Sequence, residues 1–455
     1  MQKVKKRTPD MLEGPLLKNI ILYAIPVMLT TLLQLAFNAA DLMIVGQYCE
    51  DVAIAGVGNT GSIIALIVNF FMGLSVGAGV TVAQALGAND KDAIHNAVHT
   101  SVPVAIICGL IITAVGLIFS ENFLAMIDTP KEVLPYSIKY MKIYFLGTVF
   151  IMLYNFCAAI LRAAGDTKSP LVFLAIAGVI NVGLNILFIK QFNMDADGVA
   201  WATTISQGVS AILVVIALMR RKDACKLKLS KLRIYWVPFI KLFKIGMPAG
   251  IQSCLFAIGN VVIQGAINSF GSTFMSACSA STNIEGFMSC IVAAMHQAAL
   301  NFTGQNVGAN NYKRVKQVFI RCLLCVFVGC ILLAAVIYSV SPYWLKIYLP
   351  DSPEAIEIGV EKIAIICSSY FICGLMDVST GGLRGMGISF LPMIISILGV
   401  CGSRILWVNT IFQIPRFHTH QCLFLVYAVS WGITFIAQTT LWIIAYRKRS
   451  RLQHI

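Results

Sequence analysis

The chain of 455 residues is 58% apolar and only 12% charged, whereas a soluble domain carries roughly one-quarter charged residues, so a soluble enzyme or binding module is excluded. The formal net charge of +14 would point to a nucleic-acid partner only if the cations were gathered on one surface. They are instead distributed among alternate loops between apolar runs.

A bilayer core about 30 Å thick needs about 20 apolar residues per helix, and runs of that kind recur about twelve times. They fall near 16–44, 53–80, 97–120, 134–159, 170–190, 198–219, 238–268, 274–302, 316–340, 360–383, 391–413 and 422–446. No soluble domain fits between them. The first run is too long for a cleaved signal peptide and is followed by acidic Asp41 rather than a small-residue cleavage site, which makes it a retained helix.

Cations mark every second loop. Lys3, Lys5, Lys6 and Arg7 precede the first run, and Arg162 and Lys168 follow the fourth. The segment from Arg220 to Lys244 separates the sixth and seventh, Lys313, Arg314 and Lys316 precede the ninth, and Arg447, Lys448, Arg449 and Arg451 end the chain. The intervening loops carry acids instead: Glu50 and Asp51, Glu121 and Asp128, Asp195 and Asp197, and Asp351, Glu354 and Glu357. This asymmetry predicts an even number of spans with both termini in the cytoplasm. The fourteen cysteines sit mostly inside apolar runs and read as filling. Cys322 and Cys325 form a CxxC without a second pair or nearby His, so no metal is expected there.

The chain repeats itself. Ala83-Gln84-Ala85-Leu86-Gly87-Ala88-Asn89 returns as Gly304-Gln305-Asn306-Val307-Gly308-Ala309-Asn310, with Gln84 and Gln305 offset by 221. Leu161-Arg162-Ala163-Ala164-Gly165 with Pro170 returns as Leu383-Arg384-Gly385-Met386-Gly387 with Pro392, and Ile25-Pro26 as Met247-Pro248, both offset by 222. Six spans separate equivalent points, which predicts parallel repeats about an axis along the membrane normal. The expected organisation is an arm at 1–15, a first lobe at 16–219, a basic cytoplasmic linker at 220–237, a second lobe at 238–446 and a basic tail at 447–455.

These motifs, together with Gly165-Asp166-Thr167-Lys168-Ser169-Pro170 and Asn38-x-x-Asp41, resemble the multidrug and toxic compound extrusion (MATE) family of bacterial transporters over nearly the whole chain. The resemblance implies an all-α polytopic fold of two pseudo-symmetric six-helix lobes set in a V. It also implies export of amphipathic, usually cationic compounds in exchange for a proton or sodium ion, with no other cofactor. Within the family the nearest likeness is to the branch with an acid in span one facing polar residues of spans five and six, matched here by Asp41, Asn181 and Thr203. Where that branch often has a second aspartate one turn after Asn181, this chain has Asn185. The other large branch places carboxylates in the second lobe, to which Glu285 and Asp377 answer, Asp377 about one turn nearer the Leu-Arg-Gly motif.

An ionised side chain near the bilayer centre costs from roughly 3 to more than 10 kcal/mol, so acids within apolar runs are functional candidates. Asp41 is the first of these. Gln34, Asn38 and Asp41 recur at helical spacing and share one face, so Asp41 is expected to bind the coupling ion with Asn38, Asn181, Asn185 and Thr203. The plainer alternative is an acid reaching the interface at a helix end. Glu285 and Arg404 fall at similar depth and within reach of pairing, either to fix the packing of the second lobe or to serve substrate or ion. Arg404 is the one clearly intramembrane cation, with Val182 at the matching position, and Asp377 reads as a gate or entry charge near the inner end of its span. Pro26 and Pro248 are expected kinks. Gln34, Phe37, Tyr144, Tyr154, Phe256, Met288 and Met295, with Met28, are cavity candidates, each weighed against ordinary packing.

Several motifs fall away. Gly73-Leu74-Ser75-Val76-Gly77 lacks the strand-turn-helix context of a hydrolase, and Gly73, Gly77 and Gly79 read as a close helix approach. His95 and His99 lack the Glu of a zinc-protease motif and read as interfacial. No Walker A sequence occurs, which leaves ion gradients as the energy source. The expectation is therefore a secondary multidrug carrier, not an enzyme, working as a monomer in the bacterial inner membrane. Its partners are lipid and small amphipathic cations, not nucleic acid. A flippase for lipid-linked precursors, expected to line its cavity with several cations, and a membrane-embedded enzyme are the alternatives.

Overall fold

The computed structural model describes residues 9–48, 51–127, 129–350 and 352–452, without the side chains of residues 51–55 and 59. Lys3, Lys5, Lys6, Arg7, Glu50, Asp128 and Asp351 and the side chain of Asp51, all part of the charge alternation, lie outside the described residues. Every regular element among the described residues is helical. Inside hydrocarbon each unpaired backbone N–H or C=O costs several kcal/mol, and a helix pairs them within one segment.

The helices are α1 (Leu16–Tyr48), α2 (Asp51–Gly87), α3 (Lys91–Met126), α4 (Leu134–Leu146), α5 (Thr148–Ala163), α6 (Lys168–Phe192) and α7 (Ala196–Arg220), followed by α8 (Trp236–Asn268), α9 (Ser272–Gly308), α10 (Tyr312–Tyr348), α11 (Pro353–Gly385), α12 (Phe390–Ser396), α13 (Ser403–Asn409) and α14 (His420–Leu452). Ten spans are long and apolar enough to cross a membrane, one of them formed by α12, a π-helical turn at Ile397–Gly402 and α13. An eleventh is the pair α4 and α5, bent by 42°. The run expected at 274–302 lies within α9, whose 37 residues suffice in length but include Glu285 and many Ser, Thr, Asn and Gln. The protein is an all-α, multi-pass membrane protein.

The duplication is visible in the backbone. Asn89 and Asn310 take left-handed conformations at φ 54° and 52° between α2 and α3 and between α9 and α10. Asparagine tolerates that region better than other residues with a Cβ. The next residues, Asp90 and Asn311, accept backbone N–H bonds at the N-termini of α3 and α10. Gly165 and Gly387 match likewise at φ 85° and 82°.

The chain packs as two units, Leu29–Gly250 as unit one and Asp10–Met28 with Ile251–Ile455 as unit two. These boundaries differ from the lobes at 16–219 and 238–446 by an exchange of leading segments. Pro26 and Pro248 lie inside uninterrupted helices, and each helix changes unit within three residues of its proline. In unit two, Leu16, Ile20 and Tyr23 join the core, the Tyr23 ring meets Phe302 edge-on at 5.5 Å, and the Asn301 amide donates to its hydroxyl at 2.8 Å. Asn306 and Arg314 hold the carbonyl of Met11 at 3.1 and 3.2 Å, so the end of the expected arm is packed.

The expected linker is also packed, against unit one. Cys225 and Leu227 enter its core, the Lys228 N–H donates to His99 Nε2 at 3.1 Å and the Tyr235 N–H to Thr100 Oγ at 3.0 Å. His99 is fully buried rather than interfacial, with its ring stacked on His95. Burial pushes the Asp223 carboxyl up, but the hydrogen bonds and charge of Arg221 more than offset this and hold it below its ordinary value. That interaction contributes at neutral pH and is lost as the pH falls through the lowered value. The basic tail is the final turns of α14, which reaches Leu452.

Two glycines set the approach of α2 to the first half of α8. A methyl group at Gly73 would overlap the backbone of Gly250, and one at Gly77 the carbonyl oxygen of Leu242. Gly79 meets only an ordinary contact with Ala159. Because backbone cannot yield as a side-chain tip can, Gly77→Ala is expected to destabilise by about 1–3 kcal/mol. The expected result is a lower melting temperature in detergent than for Gly79→Ala.

Candidate functional site

Unit one holds a cavity of about 720 Å3, and Asp41 is in its wall. The face of α1 that carries Gln34, Asn38 and Asp41 turns toward it as a block, because positions i, i+4 and i+7 stack on one side of a helix. Thr31 and Phe37 extend that face. Phe37 packs over Gly178, where any side chain on α6 would collide with the ring. One turn beyond Gly178 stands Asn181, and one turn further Asn185.

The polar groups form a chain. Asn185, fully buried, donates its Nδ2 to Asp41 Oδ1 at 2.6 Å and to Asn181 Oδ1 at 3.4 Å. Asn181 in turn donates to Thr203 Oγ on α7 at 3.3 Å. An amide nitrogen carries two hydrogens, so Asn185 serves both acceptors at once. Its own Oδ1 is buried without a hydrogen-bond partner, an acceptor left open one bond away from the carboxylate. The structure thus brings Asp41, Asn181, Asn185 and Thr203 together, with Asn38 in the same cavity wall.

Of the cavity candidates, Gln34, Phe37, Tyr144 and Tyr154 line this space. Tyr154 is nearly buried and donates its hydroxyl to the Pro170 carbonyl at 3.0 Å. Phe256, Met288 and Met295 do not line it: all three pack in unit two, Met288 and Met295 in its core and Phe256 against a second cluster, and Met28 packs beside that core. Tyr140, Asn69, Asn155 and Gln207 also line the cavity and were not foreseen. Tyr140 had a signal, its four-residue spacing from Tyr144, on which its ring stacks at 6.3 Å.

The charged candidates of unit two are arranged differently from expectation. Glu285 does not pair with Arg404 but with Lys362 on α11, Nζ to Oε1 at 3.0 Å. Arg404 donates to Asn260 Oδ1 at 2.8 Å, and its guanidinium lies 4.4 Å from the centre of the Tyr427 ring. The reason is angular. A π turn adds a residue to the helix just before Arg404, and one residue rotates everything after it by about 100°. Arg404 is not the one intramembrane cation: Lys362 and Arg384 are also buried, and Arg384 donates to Gln252 at 2.9 Å. Asp377, half-buried on α11, offers its backbone carbonyl to His296 Nδ1 at 2.8 Å.

Two repeated helical units with a polar cavity inside the first define a multi-pass membrane carrier of duplicated build. The chain belongs to the MatE family: the family model of that description matches residues 26–187 and again 248–408, its two copies starting at Pro26 and Pro248. Among relatives, the probable multidrug resistance protein YpnP of Bacillus subtilis (strain 168) is 27% identical over 86% of this chain and 87% of its own. The multidrug export protein MepA of Staphylococcus aureus (strain NCTC 8325 / PS 47) is 23% identical over 82% and 83%. In fold, the chain is similar to an outward-facing multidrug resistance MATE family transporter of the MOP superfamily, with a TM-score of 0.91, 18% identity, and coverage of 98% and 99%. Members of the family are transporters rather than enzymes, which settles that distinction here.

The bond from Asn185 to Asp41 is open to a double-mutant cycle with Asp41→Asn and Asn185→Leu. A hydrogen bond to a charged group contributes about 1.5–3 kcal/mol, so the two substitutions should couple by that order in thermal melts of the purified protein. Gln34→Leu with Asn185→Leu should be additive.

Proposed function

We propose that the protein is a secondary multidrug exporter that expels amphipathic cations from the cell in exchange for a proton or sodium ion, by alternating access. The observation that carries the reading is the carboxylate of Asp41 in the wall of a roomy cavity, bonded to Asn185 and through it to Asn181 and Thr203. Neutralising that carboxylate with a proton, or occupying it with sodium, removes the acceptor that orients Asn185 and leaves its buried amide to re-pair. The amide chain therefore differs between loaded and unloaded states, and a ligand that favours one arrangement shifts its population.

Support for the substrate class comes from the cavity wall. It holds aromatic rings, Phe37, Tyr140, Tyr144 and Tyr154, with one carboxylate and neutral amides, and no cation among its lining residues. Ring faces and a carboxylate attract an aromatic cation. A flippase for anionic lipid-linked precursors would need cations there; the buried Lys362, Arg384 and Arg404 all belong to unit two. The names of YpnP and MepA as multidrug resistance and export proteins support the same reading.

The test is ethidium efflux from inverted vesicles carrying the native chain or Asp41→Asn, with the proton and sodium gradients collapsed separately. Efflux driven by one gradient and lost at least tenfold in the variant is the expected result. Native inactivity toward ethidium would move the substrate class, and full activity in the variant would move coupling to Asp377 or another acid.

We also propose the plasma membrane as its location and a single chain as the working unit, with both termini in the cytoplasm, on the strength of the cation-rich alternate loops. Green fluorescent protein fused after Ile455 should fluoresce, and alkaline phosphatase at the same place should stay inactive.

A further inference from the structure

The Lys362 ammonium is 3% exposed and sits among three oxygens of α9: the Cys278 carbonyl at 3.0 Å, Thr282 Oγ at 2.8 Å and Glu285 Oε1 at 3.0 Å. Those residues stand at i, i+4 and i+7 of one helix and so present a single ladder of acceptors. An ammonium carries three hydrogens, and here each has an oxygen. A carbonyl, a hydroxyl and a carboxylate at one point are also what a hard monovalent cation takes as ligands, oxygen donors all.

The repeat shows what stands at the same place in unit one. At the offset of 221, Cys278, Thr282 and Glu285 correspond to Val57, Gly61 and Ile64, and at 222 Lys362 corresponds to Tyr140. All four of those residues line the open cavity around Asp41. Conversely, Asp41 corresponds to Ile263, an apolar residue only 1% exposed. The carboxylate of unit one faces a cavity, and that of unit two faces a side chain of its own chain.

We propose that Lys362 is a tethered cation: its ammonium occupies an oxygen-lined cation site in unit two, so that this half of the protein takes up no exchangeable ion. Glu285 then has no part in coupling as long as Lys362 is present, and the exchangeable ion belongs to unit one. Removing the ammonium leaves a buried carboxylate that must be neutralised by something from solution, because an isolated charge there is too costly to persist. The site would then bind a proton or a sodium ion.

The inference deepens the reading of Asp41 as the coupling acid and rests on it for the consequence to transport. Its test does not use transport, so the two readings fail separately. Purified protein in nanodiscs would be assayed for bound 22Na+ and for protons taken up between pH 8 and 5, in the native chain, in Lys362→Met and in Lys362→Met with Glu285→Gln. The double variant removes the pair as a unit and should bind as many cations, sodium and protons together, as the native chain. The single variant should gain one equivalent over both. A double variant one equivalent below the native chain would overturn the proposal, since Glu285 would then exchange an ion despite Lys362. A folded Lys362→Met variant that gains nothing over the double variant would overturn it as well. Should Lys362→Met fail to fold, the comparison of the native chain with the double variant decides alone.

Discussion

A charge inside hydrocarbon must be neutralised, bonded or given water, and most of the architecture follows from that constraint. Backbone groups meet it by helix formation in every described span. Side chains meet it locally: Ser, Thr and Asn bond back to carbonyls of the preceding turn, as Thr81 does to Gly77 and Asn306 to Phe302. Charges meet it across helices, Lys362 on α9 oxygens and Arg404 on Asn260 and Tyr427. Asp41 has an amide donor and a cavity, and no cation within ion-pair distance among the described residues.

The two units therefore answer one constraint in opposite ways from one ancestral pattern. Unit one spends apolar volume on a space of about 720 Å3 with an acid in its wall. Unit two fills the corresponding positions with the side chains of Lys362 and Glu285. A buried ion pair is weak evidence of stability in itself, since desolvation offsets most of the attraction. Its value lies in the specific geometry that it imposes on α9 and α11, the two helices with the most extensive mutual packing in unit two.

Much of this was legible in the residues alone. Spans, duplication and the Asp41 group were readable because hydropathy, motif echoes and helical spacing are local properties of the sequence. Gln34, Asn38 and Asp41 needed only the helical period, and Asn181 and Asn185 only their four-residue spacing. The partner of Glu285 was not readable, because Lys362 sits near the start of an apolar run where a lysine is ordinarily an interfacial residue. Depth alone made Arg404 look equally suitable; the π turn that redirects it depends on packing at Gly399, where Thr434 of α14 leaves no room for a side chain. The exchange of leading helix segments between units was equally hidden, since a proline permits a change of partner without saying which partner follows.

The positions that the two halves share and those that they do not fall into separate physical classes. Asn89 and Asn310, Gly165 and Gly387, and Pro26 and Pro248 answer to backbone demands: left-handed turns, and helix positions without an N–H. Such demands are set by topology, and duplicated topology repeats them. Side chains facing the interior of each unit answer to what fills that interior, and there the halves diverge: Asp41 against Ile263, Tyr140 against Lys362, Ile64 against Glu285. Divergence confined to interior-facing positions on an unchanged frame is what results when one half keeps an open, chargeable cavity and the other closes its own. A frame held by backbone geometry tolerates that, because neither a filled nor an open interior alters the turns that join the helices.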